Sequence, residues 1–245
     1  MKLSVIITAF DRHEVTVAHV KGCMESTIMP YEIIVVNDHG DPNLKEMLLK
    51  IDRKCPIVYA YIEQDIPWNY TGARNLGVWL SGGDFLAMED NDHIPHKDFY
   101  EKAQKLLEER PEVSRVLSKG RLRVKRDEVI KKPITECEVF GKKTYHRDTQ
   151  ILRRDMYLTM KGCDEQFAGA YAWACTDWRR RLARAGIISA NTGIYYVVVD
   201  AETHSLLRRK SYRNYELARK KTHTQSPKGI LNFTYNFIRY DKSNN

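Results

Sequence analysis

Gly83-Asp84-Phe85-Leu86-Ala87-Met88-Glu89-Asp90-Asn91-Asp92-His93-Ile94-Pro95-His96 is the stretch on which the reading of this chain turns. An apolar run, Phe85 to Met88, gives way to Glu89, Asp90, Asn91 and Asp92, and then to a Pro. Short apolar runs bounded by turn signals read as buried strands. A buried strand keeps carboxylates inside only where something pairs them. Asp90 and Asp92 are therefore expected just past the strand's carboxyl end, where open α/β sheets bind ligands. Two carboxylates one residue apart suit a hard divalent cation that bridges to phosphates. Taken alone, the stretch fits equally well a solvated acidic loop capping the next helix, with Asp92 near its N-terminus.

The chain before it shifts the balance. Leu3–Ala9, Glu32–Gly40 (ending in polar residues and Gly) and Ile57–Ile62 are further β-rich runs of the kind covered on both faces in parallel sheets. Helical patterns alternate with them, one after Arg12 with Val15, Ala18, Val20 and Met24 among its apolar positions and closing before Pro30, and others at Asn43–Ile51 and Tyr70–Leu80. Strand-helix alternation with short connections predicts a mainly parallel, doubly wound (Rossmann-like) α/β sheet flanked by helices. Three strands run into polar residues: Asp11, then Asn37 and Asp38, then Asp90 and Asp92. Such ends collect in one crevice, and three in succession read as a site.

The second half is less regular. Lys97–Glu109 reads as a helix, Val113–Arg126 and Ile134–Tyr145 as strands or a hairpin joined by a basic loop, and Thr149–Lys161 as holding a strand edge. Thr176–Ala185 reads as a helix stopped by Gly186, and Ile194–Val199 as a last strand.

Composition sets outer bounds. The 245 residues suffice for one large α/β domain, and 42% hydrophobic with 29% charged content is ordinary for a globular chain. The five Cys include no C-x-x-C pair, which argues against a disulfide framework or a zinc site and fits a reducing compartment. The N-terminus lacks the pattern of a signal peptide, and no apolar run approaches the ~20 residues that cross a bilayer. A cytoplasmic protein with no transmembrane segment is the expectation. A net charge of +8, concentrated at 119–132 and from Arg179 onward, fits nucleic acid, an anionic membrane surface or phosphorylated substrates.

With these residues in view, the chain resembles the family 2 glycosyltransferases of the GT-A fold. Ser4–Arg12 looks like the family's opening strand and loop, and Glu32–Gly40 like its second strand, with Asn37-Asp38-His39-Gly40 where Asp-Asp-Gly-Ser is usual. Gly72-Ala73-Arg74-Asn75-Leu76-Gly77 is similar to the Gly-x-Arg-Asn-x-Gly segment, and Asp90-Asn91-Asp92 to the Asp-x-Asp motif. Gly162–Phe167 and Asp177–Leu182 look like the acceptor-side loop and helix. The resemblance spans about 3–205 and implies a GT-A domain over 1–205, with a nucleotide-sugar half at 1–96 and an acceptor half at 97–205. Residues 206–245 are expected as a basic C-terminal extension.

The resemblance also implies a nucleotide-sugar donor, UDP-sugar first, a divalent cation (Mn²⁺ or Mg²⁺), and transfer to an acceptor hydroxyl with inversion. Thr8, Ala9, Asp11, Asn37 and Asp38 are then expected to hold the nucleoside, Arg74 to lie beside it, and Asp90 and Asn91 to contact the donor. Asp92, with Asp90 and with His204 just after the last strand, is expected at the metal.

The pattern breaks at one place. Inversion needs a base to take the acceptor's proton, and the Glu-Asp pair that usually supplies it falls on Ala174 and Cys175. Asp177 is the first substitute and Asp164 and Glu165 the next; Asp177 fits a helix N-cap equally well. Tyr171 and Trp173 fit stacking on a sugar or base, or a place in the core. Basic, aromatic-laced stretches such as 119–126 and 208–221 leave the acceptor open: a glycan, a lipid-linked diphosphate, or hydroxylated bases in DNA. An inactive scaffold that binds nucleic acid is the rival from another class. A nucleotidyltransferase would carry a glycine-rich loop where Phe10-Asp11-Arg12-His13 stands.

Overall fold

The first half folds as its periodicity dictates. β1 (Leu3–Ala9), α1 (His13–Met24), β2 (Glu32–Asn37), α2 (Asn43–Leu49), β3 (Ile57–Ile62), α3 (Tyr70–Leu80) and β4 (Phe85–Asp90) follow in turn. The structure is a computed structural model that describes residues 1–144, 148–200, 212–221 and 231–243, the Asp200 side chain excepted. β4, β1, β2 and β3 lie side by side and parallel. Val5, Ile7, Ile33 and Val35 face α1 and α2 through Val20, Cys23, Leu44 and Leu48. Ile6, Ile34 and Val36 point the other way, onto Ala73 and Leu76 of α3. Burial on both faces explains why these strands are apolar without alternation, and each such side chain contributes about 1.5–3 kcal/mol. At Gly77 an added Cβ would lie 2.3 Å from Ile6 Cγ2, so this glycine lets α3 ride close on β1.

The second half adds β5 (His93–Ile94), α4 (Phe99–Glu109), β6 (Arg115–Leu117), β7 (Gly120–Lys125), α5 (Arg126–Lys131), β8 (Phe140–Thr144), β9 (Gln150–Arg153) and α6 (Arg154–Thr159). α7 (Ala174–Arg184), β10 (Ser189–Asn191), β11 (Tyr195–Asp200), α8 (Tyr212–Lys220) and β12 (Tyr235–Tyr240) complete it. Among the described residues the main sheet has eight strands in the order β10-β6-β9-β4-β1-β2-β3-β12, and a second has four, β5-β11-β7-β8. The main sheet is mixed: β9 runs antiparallel to both β4 and β6, and β12 antiparallel to β3.

Several expectations change here. β4 runs on to Asp90, so Glu89 lies inside a buried strand rather than beyond it. The segment expected as a strand edge, β9, is an interior strand between β4 and β6. Between β7 and β8 stands α5, followed by a 3-10 turn, rather than a loop alone. β11 belongs to the second sheet, whose Val124, Val197 and Val199 pack with Val15 of α1 and Val129 of α5. Within the region expected as a basic extension, β12 extends the main sheet along β3. No helix among the described residues is long and apolar enough to cross a membrane.

Candidate active site at the sheet's carboxyl edge

Register brings the three polar strand ends together. Thr8 pairs with Asp90 on one side and Val36 on the other, and Ala9 pairs with Asn37. The loops beyond are tied across: Arg12 Nη1 donates to Asp92 Oδ2 at 3.3 Å, and Asn91 Nδ2 donates to the Asp11 carbonyl at 3.1 Å. Arg12 and His39 both hold a left-handed backbone, φ 62° and 57°. Such strain concentrates at functional loops.

At the end of β2, Asn37 is consumed by the turn. Its Oδ1 accepts from Gly40 N at 2.7 Å and its Nδ2 donates to the Asp41 carbonyl and Tyr59. The Cβ of an alanine at Gly40 would collide with the Phe10 carbonyl, which accounts for a glycine there. Asn37 thus shapes the turn, and Asp38 follows it at the strand end. Burial pushes the Asp38 carboxyl up to about 7, against the pull of the neighbouring Asn69 side chain and amide. Its Oδ1 is buried with no donor in the protein.

Asp90 Oδ1 accepts from Arg74 Nη2 at 3.0 Å. That buried guanidinium stacks on Tyr70 at 4.2 Å and donates to the Asp148 carbonyl at 3.2 Å. His93 Nδ1 lies 2.7 Å from Asp92 Oδ1 and 3.8 Å from Asp90 Oδ2, with Arg121 Nη1 3.2 Å from its Nε2. Burial opposes the charge on Asp92, but His93 and Arg12 outweigh it and hold the carboxyl down at about 2. Two ionised carboxylates fit a Mg²⁺- or Mn²⁺-type ion, which takes one or two of them and fills its shell with water and phosphate oxygens. The surrounding Arg12, Arg74 and Arg121 suit the phosphates. His204 lies outside the described residues. Arg12, His93, Arg121 and Asp148 were not singled out as site residues in the sequence, because residues drawn from two loops and two strands of four separate segments leave no local pattern.

Behind the motif lies a buried network. Glu89, fully enclosed, faces His19 Nε2 at 2.6 Å and accepts from Tyr196 and Tyr100 hydroxyls at 2.6 and 3.1 Å. His19 Nδ1 reaches the Asn91 carbonyl at 3.1 Å. A carbonyl only accepts, so Nδ1 carries a proton and a second proton lies between Nε2 and Glu89. Cys23 also stands within ion-sharing reach of His19 and Glu89, but these hydrogen bonds already satisfy the carboxylate. The network pins the backbone of the motif's middle residue from below. Glu89→Ala is expected to cost about 3–5 kcal/mol by orphaning these donors. Urea unfolding reads it, and a loss below about 1 kcal/mol would mean the network does not hold the strand.

The three expected bases are all engaged. Asp164 Oδ1 caps the 3-10 turn through Gln166 N, and its Oδ2 is ion-paired with Lys221. Glu165 accepts from Asn75 Nδ2, Leu231 N and Asn232 N. Asp177 Oδ2 accepts from Arg181 Nε at 3.0 Å, and Arg181 also holds the Met160 and Gly162 carbonyls. Cys175, where the resemblance expects a carboxylate, donates from Sγ to the Tyr70 hydroxyl at 3.4 Å. Burial pushes its thiol up to about 12, with the Asp148 carboxylate adding to the effect.

Comparison with known proteins agrees with this geometry. The family model for glycosyl transferase family 2 matches residues 4–158. An uncharacterized glycosyltransferase of Bacillus subtilis (strain 168), YwdF, is 31% identical over 108 residues, 44% of this chain and 39% of that protein. Among solved structures, S. aureus TarS 1–349 in complex with UDP-GlcNAc superposes with a TM-score of 0.63 at 16% identity, over 84% of this chain and 60% of that one. The mannosyltransferase PcManGT of Pyrobaculum calidifontis, in complex with GDP-Man and Mn²⁺, gives 0.58 at 13% identity, over 89% and 60%. This chain therefore spans 39% of the Bacillus protein and 60% of each of the two solved structures. At such identities the structural likeness speaks for the fold, which is GT-A. No relative favours the DNA-directed or nucleic-acid-binding alternatives.

Proposed function

Because the chain belongs to glycosyl transferase family 2, we propose that it transfers a sugar, with inversion, from a nucleotide diphosphate, UDP first, to an acceptor hydroxyl. The observation that carries this is the donor-less, buried Oδ1 of Asp38 at the same sheet edge as Asp90 and Asp92. A buried carboxylate oxygen without a partner is costly, and the ring N–H of a uracil supplies the missing donor. Thr8, Ala9 and Asp11 line the nucleoside side, while Arg12 and Arg74 face the diphosphate.

Asp90 and Asp92 would hold the cation, which when bound supplies Lewis-acid neutralisation of the leaving diphosphate. The arginines do the same from the protein side, stabilising charge as it grows on the leaving group. For the base, Asp177 is held at 3.0 Å by Arg181 on the inner face of α7, whereas the Asp148 carboxylate meets Arg179 at the longer distance of 3.9 Å, so the role passes to Asp148. Its carbonyl sits on Arg74, and its carboxylate acts on Cys175, where the family pattern has its own.

The test is thermal unfolding with UDP, GDP, CDP and dTDP, each with and without Mn²⁺. A ligand at ~100 times its dissociation constant stabilises by ~2.7 kcal/mol, a shift of roughly 5–10 °C for a chain of this size. A shift with UDP that requires the metal is expected; no shift with any nucleotide would remove the donor site. UDP affinity is also expected to fall, by at most about tenfold per unit, as pH drops below 7, where Asp38 takes up a proton and its charge-assisted hydrogen bond to the base is lost. An affinity flat from pH 5 to 8 would take Asp38 out of base recognition.

A further inference from the structure

The rim of the main sheet carries an unguarded edge. An edge strand offers a row of unpaired N–H and C=O groups, and native proteins blunt it with brevity, lysine, proline or a bulge. Among the described residues, three of the four edge strands are blunted in this way. β5 has two residues and β10 has three. β8 carries Lys142 and Lys143, and its register against β7 slips between Arg121 and Arg123. β12 has none of these devices. Its six residues, Tyr-Asn-Phe-Ile-Arg-Tyr, include neither Lys nor Pro and pair with β3 in unbroken register. No other described strand lies on its outer side. Phe237 is 57% exposed there, and Ile238 40%.

The register shows which backbone groups face outward. Glu63 N donates to the Thr234 carbonyl at 3.0 Å, in the register that sets Asn236 opposite Tyr61 and Ile238 opposite Tyr59. Hydrogen-bonded residues alternate along an antiparallel pair. Asn236, Ile238 and Tyr240 therefore turn their N–H and C=O groups toward β3, while Tyr235, Phe237 and Arg239 turn theirs away from the sheet. Side chains alternate as well, so these three residues share one face. It is the face covered by α3, since Tyr235 packs with the cluster around Ala73 and Leu76. Arg239 Nη1 donates to Glu32 Oε2 at 2.6 Å, which anchors the far end of the strand.

We propose that β12 is a homodimer interface: a second copy of this chain adds its own β12 antiparallel, about a two-fold axis through Phe237. The strand's own sequence selects that occupant. A two-fold contact must be self-complementary, and this one is. With the axis at Phe237, all three outward-facing residues meet outward-facing residues and form about six inter-strand hydrogen bonds. Phe237 then lies opposite Phe237 of the partner subunit, and Tyr235 opposite Arg239 of the partner subunit. An aromatic pair and a cation beside an aromatic ring are both favourable across strands. An axis at Arg239 would instead set two cations face to face, which is unfavourable. The axis stands perpendicular to the sheet and reverses the strand direction. The two donor crevices therefore open at opposite ends of one continuous sheet. The pairing does not depend on the donor reading.

The test is sedimentation velocity on the full chain over a series of concentrations. A monomer–dimer equilibrium is expected for the wild type. Phe237→Lys, which places two lysines across the axis, is expected to weaken association tenfold or more, with Phe237→Tyr retaining it. The UDP-dependent thermal shift is expected to be the same in all three. Register is read by cross-linking. Hydrogen-bonded partners lie about 5.5 Å apart between Cα atoms, within disulfide range. Phe237→Cys is thus expected to form a covalent dimer under mild oxidation, and Asn236→Cys, which faces Ile238 of the partner subunit, to form little. A wild-type chain that stays monomeric at every concentration overturns the proposal. So does a dimer that Phe237→Lys leaves intact, or one that Asn236→Cys cross-links as readily as Phe237→Cys.

Discussion

Asp92→Asn is expected to abolish metal-dependent donor binding while the fold survives. Asp92 stands at the mouth of the crevice between Arg12 and His93. Loss of an outer-shell partner costs about 10–100-fold in metal affinity, so loss of a ligand carboxylate is expected to cost at least about 100-fold. The fold is also touched. A carboxyl held at about 2 rather than near its unfolded value of about 3.8 contributes about 2 kcal/mol. Its pKa is depressed, so this contribution is full above about pH 4 and fades as pH falls through about 2. At neutral pH the variant therefore melts roughly 4–8 °C lower. Binding should be measured by calorimetry at 20 °C, where wild type and variant are both folded. Equal Mn²⁺-dependent UDP affinity in the two would remove Asp92 from the metal site.

The second large effect is expected at Asp148. Asp148→Asn is expected to lower kcat about 10²–10⁴-fold, the usual worth of a general base, with the UDP thermal shift intact. Asp177→Asn is expected to behave differently. It weakens the grip of Arg181 on the Met160 and Gly162 carbonyls and lowers the melting temperature, with kcat changed less than tenfold. Turnover and melting curves of the two variants, measured together, separate the roles. If the losses are exchanged, Asp177 is the base. The acidic limb of the kcat–pH profile gives an independent check, because it should vanish in the variant that lacks the base.

The sequence displayed the first four strands well because each is sealed on two faces. That makes an unbroken apolar run, and the polar residues at its end mark the sheet's edge. Thr8, Asp38, Asp90 and Asp92 could be picked out on that ground. Glu89 could not. In the run Met88-Glu89-Asp90 it looks like the start of a loop, and its partners His19 and Tyr196 are 70 and 107 positions away. β9 was misplaced for a related reason: four residues between a turn and a helix carry no sign of which strands will flank them. For the candidate base, closeness to a motif was legible in the sequence and ion pairing was not: Asp177 stands two residues past the position of the absent pair, and its carboxylate is committed to a residue one helical turn away.

The pairing of β12 with β3 bears on how the chain is made. Glu63, just past β3, meets Asn236 across 173 positions, and Glu32 meets Arg239 across 207. At about 5–20 residues per second, β3 leaves the ribosome roughly 10–35 s before its neighbour exists. Throughout that interval the nascent chain carries an apolar strand with an unpaired edge, the geometry that recruits foreign strands. Asn43–Leu49 and Tyr70–Leu80 can cover its faces early, but nothing made before residue 235 supplies the missing hydrogen bonds in the finished sheet. Ribosome stalling before residue 235 would therefore release a species with a nearly complete main sheet and an aggregation-competent flank.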